Sequence, residues 1–367
     1  MNGARERRMQ FQRTEWRFYR SGQDAWDAML EVCCVARNFI DFEQYIFDDD
    51  EIGERFVRVF EDRARAGIKV RILIDGVGGL FFGSRSVARL RTAGAEVRFF
   101  KPLRTWIPHR ISSWFFRDHR KLLIVDGAVG FVGGAGIHVR MKRWRETHMR
   151  FEGTFIRFFS DSFERMWRFA ETHAFKRFPP QPFSEDGFTL MTSVPRLRGR
   201  YIRRALLFAI RSAQRSVYCT TPYFVPDLRL LTLLKRAARR GVDVRFLVPA
   251  VSDRFLVDMA SGSYFKLLFR DGVRIYQYDR RHILHAKAVV VDDSWATVGS
   301  ANLDNLSLRL NYELNVTSVN GSFVEELKAQ FMDDIRSAKE LHSEEWRRRP
   351  LYRKAFEAIS WPIHGIL

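Results

Sequence analysis

The chain has 367 residues, 46% of them hydrophobic, and 62 Lys plus Arg stand against 43 Asp plus Glu for a formal charge of +19. That much apolar sequence excludes a disordered chain and suffices for two fused lobes with a sizeable core, while the basic excess favours a polyanion or an anionic membrane surface as partner. Cys33, Cys34 and Cys219 have neither metal-ligand spacing nor an even-numbered framework, so a reducing compartment, no disulfide and three small buried side chains are expected. The opening Met1 to Arg20 is basic and aromatic without a long apolar run, which reads as neither a signal peptide nor a transmembrane helix, and no later segment has the length to span a bilayer. Any membrane contact is therefore expected to be peripheral.

From Gln23 the pattern alternates. An amphipathic helix is predicted over 25–37, an extended segment over 39–47, a second amphipathic helix over 51–66 and a strand over 67–75. The order returns later, with helix over 203–214, extended chain over 216–224, helix over 226–240 and strand over 241–249. Gly67 to Ile74 and Gly241 to Val248 match nearly residue for residue, and a third correspondence joins 93–100 to 270–276. Such alternation predicts an α/β fold: two fused lobes, each a mixed sheet flanked by helices, related by a pseudo-twofold axis with one active site at their interface. The boundary is placed near Phe178–Pro182, where prolines interrupt a helix predicted over 154–176. The lobes are then 1–178 and 188–340, followed by a basic amphipathic tail, 341–367.

Each half carries the same constellation. His119, Lys121 and Asp126 read His-x-Lys-x-x-x-x-Asp, as do His285, Lys287 and Asp292, and a small-residue turn follows each: Gly133-Gly134-Ala-Gly136 and Gly299-Ser300-Ala-Asn302. The run after each lysine is apolar and rich in β-branched residues, so it predicts a buried strand whose alternation puts His and Lys on one face. An imidazole beside an ammonium is poorly suited to burial and well suited to a phosphate. The imidazole can attack phosphorus or carry a proton, and the lysine offsets charge on the non-bridging oxygens. Asn302 offers an amide donor to phosphate, and Ser300 is grouped with it. Glu313 stands at the head of a predicted strand, 314–319, and Glu146 holds the comparable place in the first half. Either carboxylate could accept a proton from one imidazole nitrogen and so fix the tautomer of the other.

This double motif resembles that of the phospholipase D superfamily, and the resemblance covers nearly the whole chain. It implies two α/β lobes and chemistry without a metal or other cofactor, through a covalent phosphohistidine. By the same resemblance His119 is the nucleophile and His285 the acid and later base. Lys121, Lys287 and Asn302 hold phosphate oxygens, Glu313 and Glu146 orient His119 and His285 across the interface, and Asp126 and Asp292 are structural. Within the superfamily, Arg17 to Trp26, Ile40 to Ile46, Thr221-Pro-Tyr-Phe224 and Gly299 to Leu306 are similar to the bacterial cardiolipin synthases, especially the form without amino-terminal transmembrane helices. That similarity implies phosphatidyl transfer between phospholipids, phosphatidylglycerol foremost, by a peripheral protein on the cytoplasmic side of the cell membrane. Trp106 to Arg117, Phe255 to Arg270 and the tail from Trp346 mix basic with aromatic residues and are expected to meet the bilayer. A phosphodiester hydrolase or nuclease of the same superfamily is the competing reading, since +19 also suits nucleic acid. Apolar aromatics beside both motifs weigh against it.

Overall fold

The computed structural model describes residues 14–102, 116–172, 182–195, 199–279 and 281–360. In the first half, β1 (Glu15–Ser21), α1 (Gly22–Cys34), β2 (Phe39–Gln44), α2 (Glu51–Arg65), β3 (Lys69–Asp75), α3 (Ser84–Thr92), β4 (Glu96–Phe100), β5 (Leu122–Val125), β6 (Val129–Gly133), β7 (Arg145–Glu152) and α4 (Ile156–Thr172) follow in order. The second half supplies β8 (Phe183–Glu185), β9 (Phe188–Ser193), α5 (Tyr201–Ser212), β10 (Ser216–Thr220), β11 (Phe224–Val225), α6 (Leu228–Arg239), β12 (Asp243–Pro249) and α7 (Phe255–Phe269). It continues through β13 (Arg274–Tyr278), β14 (Ala288–Val291), β15 (Trp295–Gly299), β16 (Leu303–Asp304), β17 (Glu313–Ser318), α8 (Gly321–Arg336), β18 (Lys339–Leu341), α9 (Ser343–Arg347) and α10 (Leu351–Ser360).

The duplication is literal in the sheets. The first has strand order β1-β7-β6-β5-β2-β3-β4, and the second repeats it as β9-β17-β15-β14-β10-β12-β13, with β8 and β18 added at its edges. Both are mixed: β2 and β10 pair in parallel with β3 and β12, and antiparallel with the motif strands β5 and β14. One apolar cluster lies between the sheets around α4 and α8, and two more lie beneath α1–α3 and α5–α7 on the outer faces. Strand alternation distributes the motif runs between these cores: Leu122 and Ile124 face the central one, Leu123 and Val125 the outer one.

Three expectations need correction. The second sheet begins at Phe183, before the boundary drawn at 188. Over its described part, 341–360, the tail is not a free anchor: β18 extends the sheet, and Trp346 is buried against Phe265, their rings 5.1 Å apart, while 361–367 lie outside the described residues. Arg349 closes the same packing by an ion pair with Glu357. Burial of the indole removes more apolar surface from water than an interfacial position does, which is why a basic, aromatic tail docks on its own protein. Cys33 and Cys219 are buried as expected, but Cys34 is exposed at the end of α1. The stretch Trp106 to Trp114 and most of the proposed boundary segment lie outside the described residues.

Candidate active site

A strand buried on both faces leaves only its ends for polar side chains, so His119 and Lys121 sit at the entry to β5 and Asp126 at its exit. Asp126 takes a left-handed backbone, φ 56°, and its carboxylate accepts the N–H groups of Arg37, Asn38 and Phe39 at 2.8, 2.7 and 2.9 Å. Asp292 does the same at φ 52° with Gln214, Arg215 and Ser216. Aspartate tolerates this conformation, and its charge satisfies the turn before the neighbouring strand. These two motif residues fasten their hairpins and do not reach the reaction centre.

The lobes exchange backbone just ahead of each histidine. The His119 N–H donates to the Tyr312 carbonyl at 3.0 Å while the Tyr312 N–H donates to Arg117. In the pseudo-equivalent place, the His285 N–H donates to Arg145 at 2.8 Å and the Arg145 N–H to Ile283. Tyr312 and Arg145 each precede a glutamate, so this pairing carries each carboxylate to the other lobe's imidazole. His119 Nδ1 lies 3.0 Å from Glu313 Oε1, and His285 Nδ1 is hydrogen-bonded to Glu146. Both glutamates are fully buried. With Nδ1–H donated to a carboxylate, each Nε2 is left to the site.

Lys121 and Lys287 are buried between these dyads, each ammonium donating to the carbonyl of the histidine two residues back. Among the described residues neither has a carboxylate within ion-pair distance. Burial pushes Lys121 down to about 7 and Lys287 down to about 8, and each lysine is within electrostatic reach of both glutamates. Burial likewise pushes His119 down to about 4, with Lys121 and Lys287 acting in the same direction against Glu313. His285 is lowered for the same leading reason. Burial pushes the two glutamates up, but the histidines and lysines outweigh it and hold both below the usual carboxylate range. With both lysines charged, both glutamates ionised and both histidines neutral, the four charges cancel. A phosphodiester adds one negative charge and thereby favours one proton on an imidazole, which is the proton a leaving alkoxide requires.

The two dyads differ where the sequences of the turns differ. The Ser300 hydroxyl donates to Glu313 Oε2 and accepts the Leu314 N–H at 3.0 Å, so it supports the carboxylate and is not free for phosphate. This corrects its grouping with Asn302: a fully buried hydroxyl beside a carboxylate is captured by the stronger acceptor. Its counterpart is Gly134, where a Cβ would fall 2.4 Å from Glu146 Oε2, an oxygen with no hydrogen-bond partner among the described residues. Glu313 therefore shares its charge between two donors, His119 and Ser300, whereas Glu146 meets His285 alone among the described side chains. Asn302 is buried, hydrogen-bonded to the Asp304 side chain, with its Oδ1 unpartnered among the described residues.

Further residues at the site carry no role in the sequence reading. The Tyr45 ring stands 4.8 Å from His119, and Trp144 and Tyr223 stand 5.2 and 6.3 Å from His285. Tyr45 and Tyr223 fall inside the fragments 40–46 and 221–224 that carry the finer resemblance, which is the one signal that marks them. Among the described residues no group of three or more His, Cys, Asp or Glu is placed to hold a metal ion.

A family model described as a cardiolipin synthase, PLD-like domain matches residues 206–335. The cardiolipin synthase of Geobacillus kaustophilus (strain HTA426) is 34% identical over 360 residues, spanning 95% of this chain and 71% of that protein. The major cardiolipin synthase of Bacillus subtilis (strain 168) is 32% identical over 360 residues, spanning 94% and 74%. Among solved structures, the phosphatidylserine synthase of Haemophilus influenzae Rd KW20 superposes with a TM-score of 0.76 at 14% identity over 96% of this chain and 95% of its own. The polyphosphate kinase of Porphyromonas gingivalis gives 0.64 at 14% identity over 96% and 53%. At such identities the two show the fold alone. Two mixed sheets meeting at a paired His-x-Lys centre define a protein of the phospholipase D type. Within that class, the chain belongs to the cardiolipin synthase family.

Proposed function

We propose that the protein transfers a phosphatidyl group from one phosphatidylglycerol to the hydroxyl of a second, releasing glycerol, as a peripheral protein on the cytoplasmic face of the membrane. The observation that carries this reading is the pair of cross-lobe His–Glu dyads facing two buried lysines. His119 Nε2 attacks phosphorus and forms a P–N bond. The P–O bond to the leaving glycerol breaks, and His285 donates its proton to that oxygen. His285 then takes the proton of the incoming hydroxyl, which attacks phosphorus as the P–N bond breaks and His119 is restored. Lys121, Lys287 and the Asn302 amide offset charge on the non-bridging oxygens throughout. Alcohol has to outcompete water, and the buried, aromatic-lined centre favours that. Among the described residues no helix is long and apolar enough to cross a membrane.

The test is an incubation of purified protein with phosphatidylglycerol vesicles, with products separated by chromatography. Diphosphatidylglycerol and glycerol in equal amounts are expected, together with an acid-labile adduct on the peptide containing His119. Phosphatidic acid as the sole product would make the protein a hydrolase, and DNA cleavage without lipid turnover would make it a nuclease.

A further inference from the structure

The duplication places two equivalent loops at the mouth of the site, 76–83 after β3 and 250–254 after β12. Each touches a tyrosine that lies against its own lobe's histidine. Gly78 packs so closely that a Cβ there would meet the Tyr45 carbonyl at 2.0 Å, and the Tyr45 ring contacts His119. Asp253 accepts the Tyr223 hydroxyl at 2.6 Å, and the Tyr223 ring faces His285. Behind these inner contacts, both loops present large apolar side chains to solvent. Leu80 and Phe81 are 54% and 76% exposed, and in the second lobe Val251 of the loop and Phe255 and Leu256 of the first turn of α7 are 51%, 55% and 56% exposed, one edge of the Phe255 ring resting 5.6 Å from the Phe356 ring of α10. Arg254 stands among them with its side chain 61% exposed, within electrostatic reach of both Tyr45 and Tyr223. Single exposed apolar residues are ordinary, but two matched groups flanking one catalytic mouth, with a cation between them, are not.

We propose that these two loops form a rim that inserts into the acyl layer of an anionic bilayer, with Arg254 on lipid phosphate between them. The proposal rests on the lipid-transfer reading and adds which face meets the membrane. Aromatic and aliphatic side chains on both sides of the opening enter the acyl region, and the guanidinium sits at the phosphate level. The scissile headgroup then reaches His119 while its acyl chains remain in the bilayer.

The test uses an environment-sensitive fluorophore on single cysteines in a Cys34→Ser chain, because Cys33 and Cys219 are buried. Phe81→Cys and Phe255→Cys probe the rim. Val35→Cys and Val319→Cys are the controls, exposed positions at the opposite end of the strands beside Asp126 and after β17. With vesicles of phosphatidylglycerol and phosphatidylcholine, labels at 81 and 255 are expected to brighten and to be quenched by acyl-chain bromines, and labels at 35 and 319 to do neither. In parallel, Phe81→Ser/Phe255→Ser/Leu256→Ser is expected to lose at least tenfold of kcat/KM on vesicles and less than twofold on a short-chain, monomeric phosphatidylglycerol. Vesicle sedimentation without quenching at 81 and 255, equal quenching at all four sites, or equal loss on both substrates overturns the rim. A wild-type protein that turns over no lipid overturns the proposed function instead, and the quenching pattern still decides the rim.

Discussion

Replacing Glu313 by glutamine tests the cross-lobe dyad most directly, because the structure dictates which way the new amide turns. The Ser300 hydroxyl already accepts the Leu314 N–H, so its own proton goes to the oxygen at the Oε2 position. The amide nitrogen is thereby forced to the Oε1 position, 3.0 Å from His119 Nδ1, and becomes a donor there. Although Nδ1 also lies 3.2 Å from the Oε2 position, the nearer donor turns it towards accepting, the ring proton shifts to Nε2, and the lone pair that attacks phosphorus in the proposed mechanism is lost. Inverting the tautomer of a catalytic imidazole is worth about four orders of magnitude, or about 5.5 kcal/mol. Glu146→Gln lacks this constraint, since Gly134 places no hydroxyl on Oε2 and the amide can keep its oxygen toward His285. Only charge is lost there, so about a hundredfold decrease is expected. Single-turnover rates on phosphatidylglycerol, normalised to folded protein by thermal unfolding, measure both. Adding Ser300→Ala to Glu313→Gln releases the amide and is expected to recover at least tenfold, a non-additivity that simple damage does not produce. Equal losses in the two single variants, or a double variant no faster than Glu313→Gln, refute the reasoning.

Two other consequences follow from groups around the centre. Asp126→Ala removes the acceptor of three backbone N–H groups and puts alanine at φ 56°, so it is expected to lower stability by about 3 kcal/mol in urea unfolding while the folded fraction keeps its turnover; a catalytic role for Asp126 would show instead as inactive, fully stable protein. Burial pushes the Asp304 carboxyl up to about 7, with the Ser307 N–H opposing and Glu313 assisting, and Lys287 and Tyr223 are the other ionisable groups in its reach. Below that value the protonated acid donates to the Asn302 oxygen and turns the amide nitrogen to the phosphate; above it the carboxylate claims the nitrogen and turns the oxygen inward. Turnover should therefore fall as pH rises through about 7, where Lys121 also loses its proton, so Asp304→Asn, which cannot ionise, should make that fall shallower, from the loss of two protons to the loss of one; an alkaline limb as steep as the wild type's rules out the amide switch.

The parts of this architecture that were legible in the sequence are those written in periodicity and repetition. Val289 to Val291 and Leu122 to Val125 read as buried strands, and the matched runs 67–74 and 241–248 specify two sheets. Ser300 could not be placed, because a hydroxyl in a glycine turn is equally good at meeting a ligand or a carboxylate, and the choice depends on Glu313 arriving thirteen positions later. Nor could the tail: Trp346 has the composition of an interfacial anchor, and only the presence of Phe265 as a partner decides that it is buried. Tyr45 and Asp253 owe their positions to loops whose close approaches, such as Gly78 on Tyr45, leave no periodic trace.

The exchange of backbone between lobes also sets an order of events in the life of the chain. His119 is synthesised nearly two hundred residues before Glu313, and the pairing of Tyr312 with Arg117 and His119 is what brings the two together. Until the second sheet has closed on the first, the nascent amino-terminal half holds an imidazole with no carboxylate behind it and one lysine instead of two. The phosphoryl chemistry proposed for the whole chain therefore depends on completion of the fold, because each imidazole receives its carboxylate from the other lobe.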